Sequence, residues 1–171
     1  MGGVEQPNLF EIDPELRFED PRLHDFVRYW RSKCRDGRLP ARADIDPLEL
    51  KAFMGDMFML DVVGDPRRFR YRLVGAKIAA RVGRDSTGLF QEDAYSPEQA
   101  AQNNAHYRSI CESRKPTRNF GVMNWVGRDF LKYEIANLPL ADDGETVTII
   151  LGCMSIGSRA TPRGAGDRRS G

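Results

Sequence analysis

DFLKYEIANLPLADDGETVTIILGCMSIG, residues 129–157, is the stretch on which the fold turns. It has the pattern of two strands joined by a turn. Leu131, Tyr133 and Ile135 alternate with Phe130, Lys132 and Glu134, the period-two spacing of a half-buried strand. Pro139 has no N–H to give a ladder, so this strand is expected to stop before it. Asp142-Asp143-Gly144 is a turn signal: Asp bonds its own backbone and Gly accepts positive φ. The run that follows is rich in β-branched residues and apolar on both faces, with Val147, Ile149 and Leu151 on one and Ile150, Met154 and Ile156 on the other. Such a strand must be covered on both sides. It is therefore expected at the centre of its sheet, and the rest of the chain has to supply two covers.

One cover lies far upstream. Asp20 reads as an N-cap and Pro21 as the first helical residue. Leu23, Phe26, Val27, Trp30 and Cys34 then share a stripe, while Arg22, Asp25, Arg28 and Arg35 point away. Gly37 is the expected C-cap of this amphipathic helix over 20–37. Its stripe suits the outer face of the central strand or the sheet of a second copy. Residues 1–19 carry breakers and little pattern and read as a flexible leader.

The middle of the chain supplies the other elements. Asp46, Pro47 and Glu49 predict a short capped helix. Strands are expected at 56–63, 68–74, 118–126, 129–138 and 145–156. In the second, Phe69, Tyr71 and Leu73 face one way and Arg68, Arg70 and Arg72 the other, which suits an edge. Residues 76–82 read as a short helix with Ile78 and Val82 inward. Ser96, Pro97 and Gln99 open a long helix to about Ser113, with Ala100, Asn103, Asn104, Tyr107, Ile110 and Cys111 on its inner stripe. The segment 158–171 has no core residues and reads as a disordered tail, with Arg163, Arg168 and Arg169 as a soluble end.

Composition bounds the function. Basic and acidic residues number 26 and 25, so no global field attracts nucleic acid or an anionic membrane. No apolar run approaches the roughly 20 residues of a membrane span, and no secretory signal pattern is present. Cys34, Cys111 and Cys153 are odd in number and far apart, which predicts free thiols and a cytoplasmic location.

The blocks Trp30 followed by LPARADIDPLEL, then DMFMLDVV, FRYRLVGAKIAARVGRDSTG and LPLADDGETVTIILG, occur in an order that resembles a PAS domain. The resemblance is to the small single-domain bacterial PAS-like family with an N-terminal leader helix. It would place the domain within 38–157, although Ala76 stands where threonine is expected and Ser86 is more polar than the pattern. It implies an α+β fold with a five-stranded antiparallel sheet, helices on the inner face, the N-terminal helix on the outer face, and the last strand beside the first. It also implies a stand-alone sensory or binding module in signalling, homodimeric, that takes a small apolar or amphipathic molecule in its core and signals to a partner protein. The alternative is a protein-interaction adaptor with a filled core and no ligand.

Chemistry-bearing motifs are few. GRDSTG at 83–88 has phosphate-loop glycines but lacks the following Lys-Ser/Thr. His24 and His106 have no metal-ligand spacing. By helical phase His106 falls off the inner stripe, so haem is not expected, and the asparagine-cysteine motif of flavin-binding light sensors is missing. No catalytic set assembles, so no enzyme and no cofactor is expected. The expected ligand wall is Tyr71, Leu73, Asn103, Tyr107, Ile110, Tyr133, Ile135, Ile149 and Leu151, mostly apolar. Tyr71, Tyr133 and Asn103 are its polar fixtures. Asn103 is expected to bond a loop backbone, or a ligand.

Overall fold

The computed structural model describes residues 9–123 and 131–159. Among these residues six strands form one antiparallel sheet: β1 (Glu11–Asp13), β2 (Met57–Val63), β3 (Arg68–Val74), β4 (Thr117–Met123), β5 (Leu131–Leu140) and β6 (Ile149–Arg159). Their order is β1-β4-β5-β6-β2-β3. The last strand thus lies beside β2 and is interior, as its two apolar faces require. The helices are α1 (Pro21–Lys33), α2 (Ala76–Val82), α3 (Gln91–Ala94) and α4 (Pro97–Ser113).

The sixth strand corrects the expected count of five. Part of the expected flexible leader is ordered: Glu11, Ile12 and Asp13 pair with Phe120, Asn119 and Arg118 of β4. Three residues are too few for a strand periodicity to show in sequence. Residues 1–8 lie outside the described residues, as do the turn at Val126-Gly127-Arg128 and the tail from 160. The tail expected from 158 begins later, because β6 runs through Arg159, which pairs with Leu131.

Pro139 does not end β5. It sits in register with Ile150, beyond the point where β4 stops opposite Asn137. Its backbone on the vacated side needs no ladder donor, and its carbonyl accepts from Trp30 Nε1 at 2.9 Å. A proline is tolerated where a strand has lost one neighbour.

That hydrogen bond anchors α1 across the outer face. Leu23, Phe26, Val27 and Trp30 pack on Met57, Met59, Ala136, Leu138, Leu140, Ile149, Leu151 and Cys153. The stripe covers its own sheet, so it is not free to cover that of a second copy. Each such side chain contributes roughly 1.5–3 kcal/mol by leaving water. At the start of α1, the buried Glu134 carboxylate accepts from the backbone N–H groups of Glu19 and Asp20 at 3.1 and 2.8 Å. A carboxylate at a helix N-terminus meets the positive end of its dipole. Arg118 on β4 completes this base with Glu134 at 2.9 Å and Asp13 of β1 at 3.6 Å. The helix ends at Lys33 with Cys34 as its cap; Gly37, with φ of 72°, belongs to the turn beyond.

Two expectations around Pro47 fail. The helix expected from Pro47 is a turn followed by a 3-10 helix, Lys51–Asp56. Glu49 does not close a capping box there; it accepts from the Tyr29 hydroxyl at 2.7 Å and pairs with Lys33 at 3.0 Å. The edge strand β3 exposes its arginines as expected, with Arg70 and Arg72 on Asp61. Its free backbone edge is partly capped, since Tyr71 exchanges hydrogen bonds with Gly88 and Leu89.

Candidate functional site

Between the inner sheet face and helices α2, α3 and α4 lies a cavity. Phe58 of β2 and Tyr71 and Val74 of β3 form one wall, and Ile78 and Val82 of α2 another. Tyr133, Ile135 and Met154 supply the sheet floor, with Asn119 of β4 and Phe10 at one side. Gln99, Asn103 and Tyr107 descend from α4, and Arg84, Ser86 and Tyr95 come from the connections around α3. The space open to the centres of water-sized molecules is about 70 Å³, several times the ~10–15 Å³ that one water needs. The core here is open, not filled.

Glycine shapes the floor. Gly152 of β6 lies under Phe58, where a Cβ would stand 2.1 Å from the ring's Cζ. A residue with a side chain at 152 would push the ring out of place.

Five expected residues line the cavity: Tyr71, Asn103, Tyr107, Tyr133 and Ile135. Four stand elsewhere. Leu73 is displaced by an irregularity in the β2–β3 pairing, where Met59 faces Leu73 but Leu60 faces Tyr71. Arg72 is the extra residue, and a bulge reverses the faces beyond it. Val74 therefore takes the inner position and Leu73 is 40% exposed. Ile149 and Leu151 pack under α1 on the outer face, while Ile150 and Met154 take the inner one. Both faces of this strand are apolar, so alternation alone leaves the choice of face undetermined. Ile110 is buried deeper in the inner core, against the cluster of Phe69 and Tyr107.

The wall is more polar than expected. Tyr71 and Tyr95 share a hydroxyl–hydroxyl hydrogen bond of 2.8 Å. Burial raises the pKa of Tyr71, Tyr95, Tyr107 and Tyr133, so all four stay protonated at neutral pH and can give or accept hydrogen bonds. In place of the expected loop backbone, Asn103 bonds a side chain: its Nδ2 donates to Oε1 of the buried Gln91 at 3.0 Å. Its neighbour Asn104 does the same to Glu92 at 3.1 Å. Two adjacent amides thus hold α3 against α4.

Arg84, Ser86, Tyr95, Gln99 and Asn119 are the polar lining residues that sequence pattern missed. Ser86 carried a signal in its departure from the family pattern. Gln99 reads in the sequence as a cap residue; its N–H does bond Ser96 Oγ at 3.3 Å, while its side chain lines the cavity.

His106 is a correction as well. It is buried, and its Nε2 bonds Thr117 Oγ1 at 2.9 Å. Its ring packs near Phe10 and Tyr107. Burial lowers its pKa to about 4, so it is neutral at physiological pH. Thr117 also takes a long contact from Asn137, which bonds Asn119 at 2.7 Å. Burial pushes the thiols of Cys111 and Cys153 up to about 11 and about 12, so neither is a nucleophile at neutral pH. Among the described residues no cluster of His, Cys, Asp and Glu is arranged to hold a metal ion, and no helix is long and apolar enough to cross a membrane.

No curated protein matches the sequence. Among solved structures, an RNA-binding light-oxygen-voltage receptor is similar at 14% identity and a TM-score of 0.42, over 68% of this chain and 35% of the receptor's. The sequence profile of the PAS domain matches residues 18–155, from the segment before α1 to the inner part of β6. With that match over most of its length, and with α1 and the antiparallel sheet arranged as described, the chain belongs to the PAS domain family.

Proposed function

We propose that this PAS domain is a sensory module that binds a small amphipathic molecule in the inner-face cavity and passes its occupancy to a partner protein. The observation that carries this reading is an open space with polar groups on an otherwise apolar lining. Tyr71, Tyr107, Tyr133 and Asn103 orient the ligand, and Ile135, Ile78 and Met154 contact its apolar part. A filled core would favour the adaptor reading instead. Phe10 gives the signal a route outward. It lines the cavity one residue before β1, and β1 reaches α1 through Asp13, Arg118 and Glu134.

The module binds and does not catalyse. Among the described residues, the cavity lining contains no carboxylate, histidine or cysteine to serve as base or nucleophile. Near-neutral charge, with 26 basic against 25 acidic residues, offers no general attraction to nucleic acid. A cytoplasmic homodimer remains part of the reading. Because the α1 stripe is spent on its own sheet, such a dimer uses other surfaces.

Native mass spectrometry of freshly purified protein tests the proposal. The expected result is a species heavier than the bare chain, whose extra mass is lost on denaturation and reduced in Asn103→Ala. Bare protein only, unchanged in thermal stability by any amphipathic probe, sinks the ligand reading and favours the adaptor.

A further inference from the structure

Among the described residues, the cavity has one charged lining residue, Arg84. Its Nη2 donates to the Asp93 carbonyl at 3.2 Å, which leaves further guanidinium donors. Among the described residues no carboxylate lies within ion-pair distance of it. The adjacent Asp85 is turned into its own loop, where Oδ1 accepts from both N and Oγ1 of Thr87. Arg84 is exposed, so it stands at the mouth of the cavity. It lies near Tyr95, whose hydroxyl pairs with that of Tyr71, and its charge there favours the ionised phenol, although burial outweighs it. Whichever hydroxyl donates in that pair, the other keeps a proton to give. The buried Ser86 lines the same side of the chain turn.

Resting on the ligand-binding reading above, we infer that the cavity selects an anionic amphipath, with its carboxylate or similar head at Arg84 and the Tyr71–Tyr95 pair and its apolar body against Ile78, Ile135 and Met154. Among the described residues of the lining, a cationic ligand meets an arginine and no carboxylate. A neutral one leaves the guanidinium to water. An anion gains charge-assisted hydrogen bonds from donors already in place. Because Arg84 is solvent-accessible, the expected preference is moderate, about tenfold over a neutral isostere.

The test uses the full chain and two matched probe sets: benzoate, benzamide and benzamidine, then octanoate, octanol and octylamine. Binding is read by titration calorimetry. The account expects at least one anion to bind about tenfold tighter than its neutral partner and the cations to bind weakest. Arg84→Gln should bring the anion to the level of the neutral probe, Arg84→Lys should keep part of the preference, and Arg81→Gln, an exposed arginine outside the lining, should keep all of it. Equal binding of anion and neutral probe overturns the inference, as does a preference that survives Arg84→Gln, or failure of both anions to bind. The neutral probes then separate the two claims: if they bind, the cavity reading stands without its charge selectivity, and if nothing binds and the native mass is that of the bare chain, both fall.

Discussion

The two faces of the sheet are built from the same strands and solve opposite problems. On the outer face, aliphatic side chains of β2, β5 and β6 meet one continuous helical stripe, and Trp30 is fixed by the Pro139 carbonyl. That face is sealed. On the inner face, three short or polar-striped helices meet the sheet through tyrosines and amides, and a space remains. A single amphipathic helix can close a strand face, whereas a cover assembled from α2, α3, α4 and loops leaves gaps at its seams. On the proposed reading, the outer face serves packing alone, while the inner face combines a buried core with the space for recognition.

The largest effect expected from breaking this contrast is at the outer seal. Trp30→Ala should cost about 3–5 kcal/mol in urea unfolding, since Trp30 is 5% exposed and its loss also strips the Pro139 carbonyl of its donor. A cost below about 1 kcal/mol would mean that α1 does not seal the sheet.

Next comes acid sensitivity on the inner side. His106 has its pKa depressed to about 4 by burial. As pH falls from 6.5 toward 4, the unfolded chain takes up the proton that the folded one refuses, so stability present above pH 6.5 is lost in that window. The His106 share should reach about 3 kcal/mol by pH 4. Comparing urea midpoints of wild type and His106→Gln across this range isolates it, because the carboxylates titrate alike in both. Identical slopes would show that His106 is not buried as described.

Smaller still is Asn103→Ala, which should weaken a cavity ligand by about 1–2 kcal/mol in calorimetry while also costing stability through the unpaired Gln91. An effect on stability alone would place the ligand elsewhere. Leu73→Ala should change stability by no more than about 0.5 kcal/mol, because the bulge at Arg72 turns this side chain outward. A loss comparable to Val74→Ala would deny the bulge.

The sequence carried most of the frame. The caps Asp20 and Ser96 and the double-sided run around Ile150 located two helices and the central strand, because capping and burial leave local marks. The order of blocks carried the family. What remained hidden depended on events between segments. The short β1 owes its order to β4 and to Arg118, far along the chain. Pro139 is tolerated in β5 only because β4 has ended. In the cavity, Tyr71, Asn103, Tyr107, Tyr133 and Ile135 were legible from stripes. Leu73 was misplaced by one bulge, and Ile149 and Leu151 by a strand whose two faces look alike. Arg84 and Tyr95 lie in connections, where no periodicity points anywhere.

Methyl-resolved NMR of the full chain, titrated separately with benzoate and benzamide, tests the division of the sheet most directly. The account predicts that at least one probe shifts Ile78, Ile135 and Met154, which line the cavity, and leaves Leu138, Leu140 and Leu151 beneath α1 unmoved. Saturable shifts at the outer leucines, or none at the inner methyls with either probe, would contradict it.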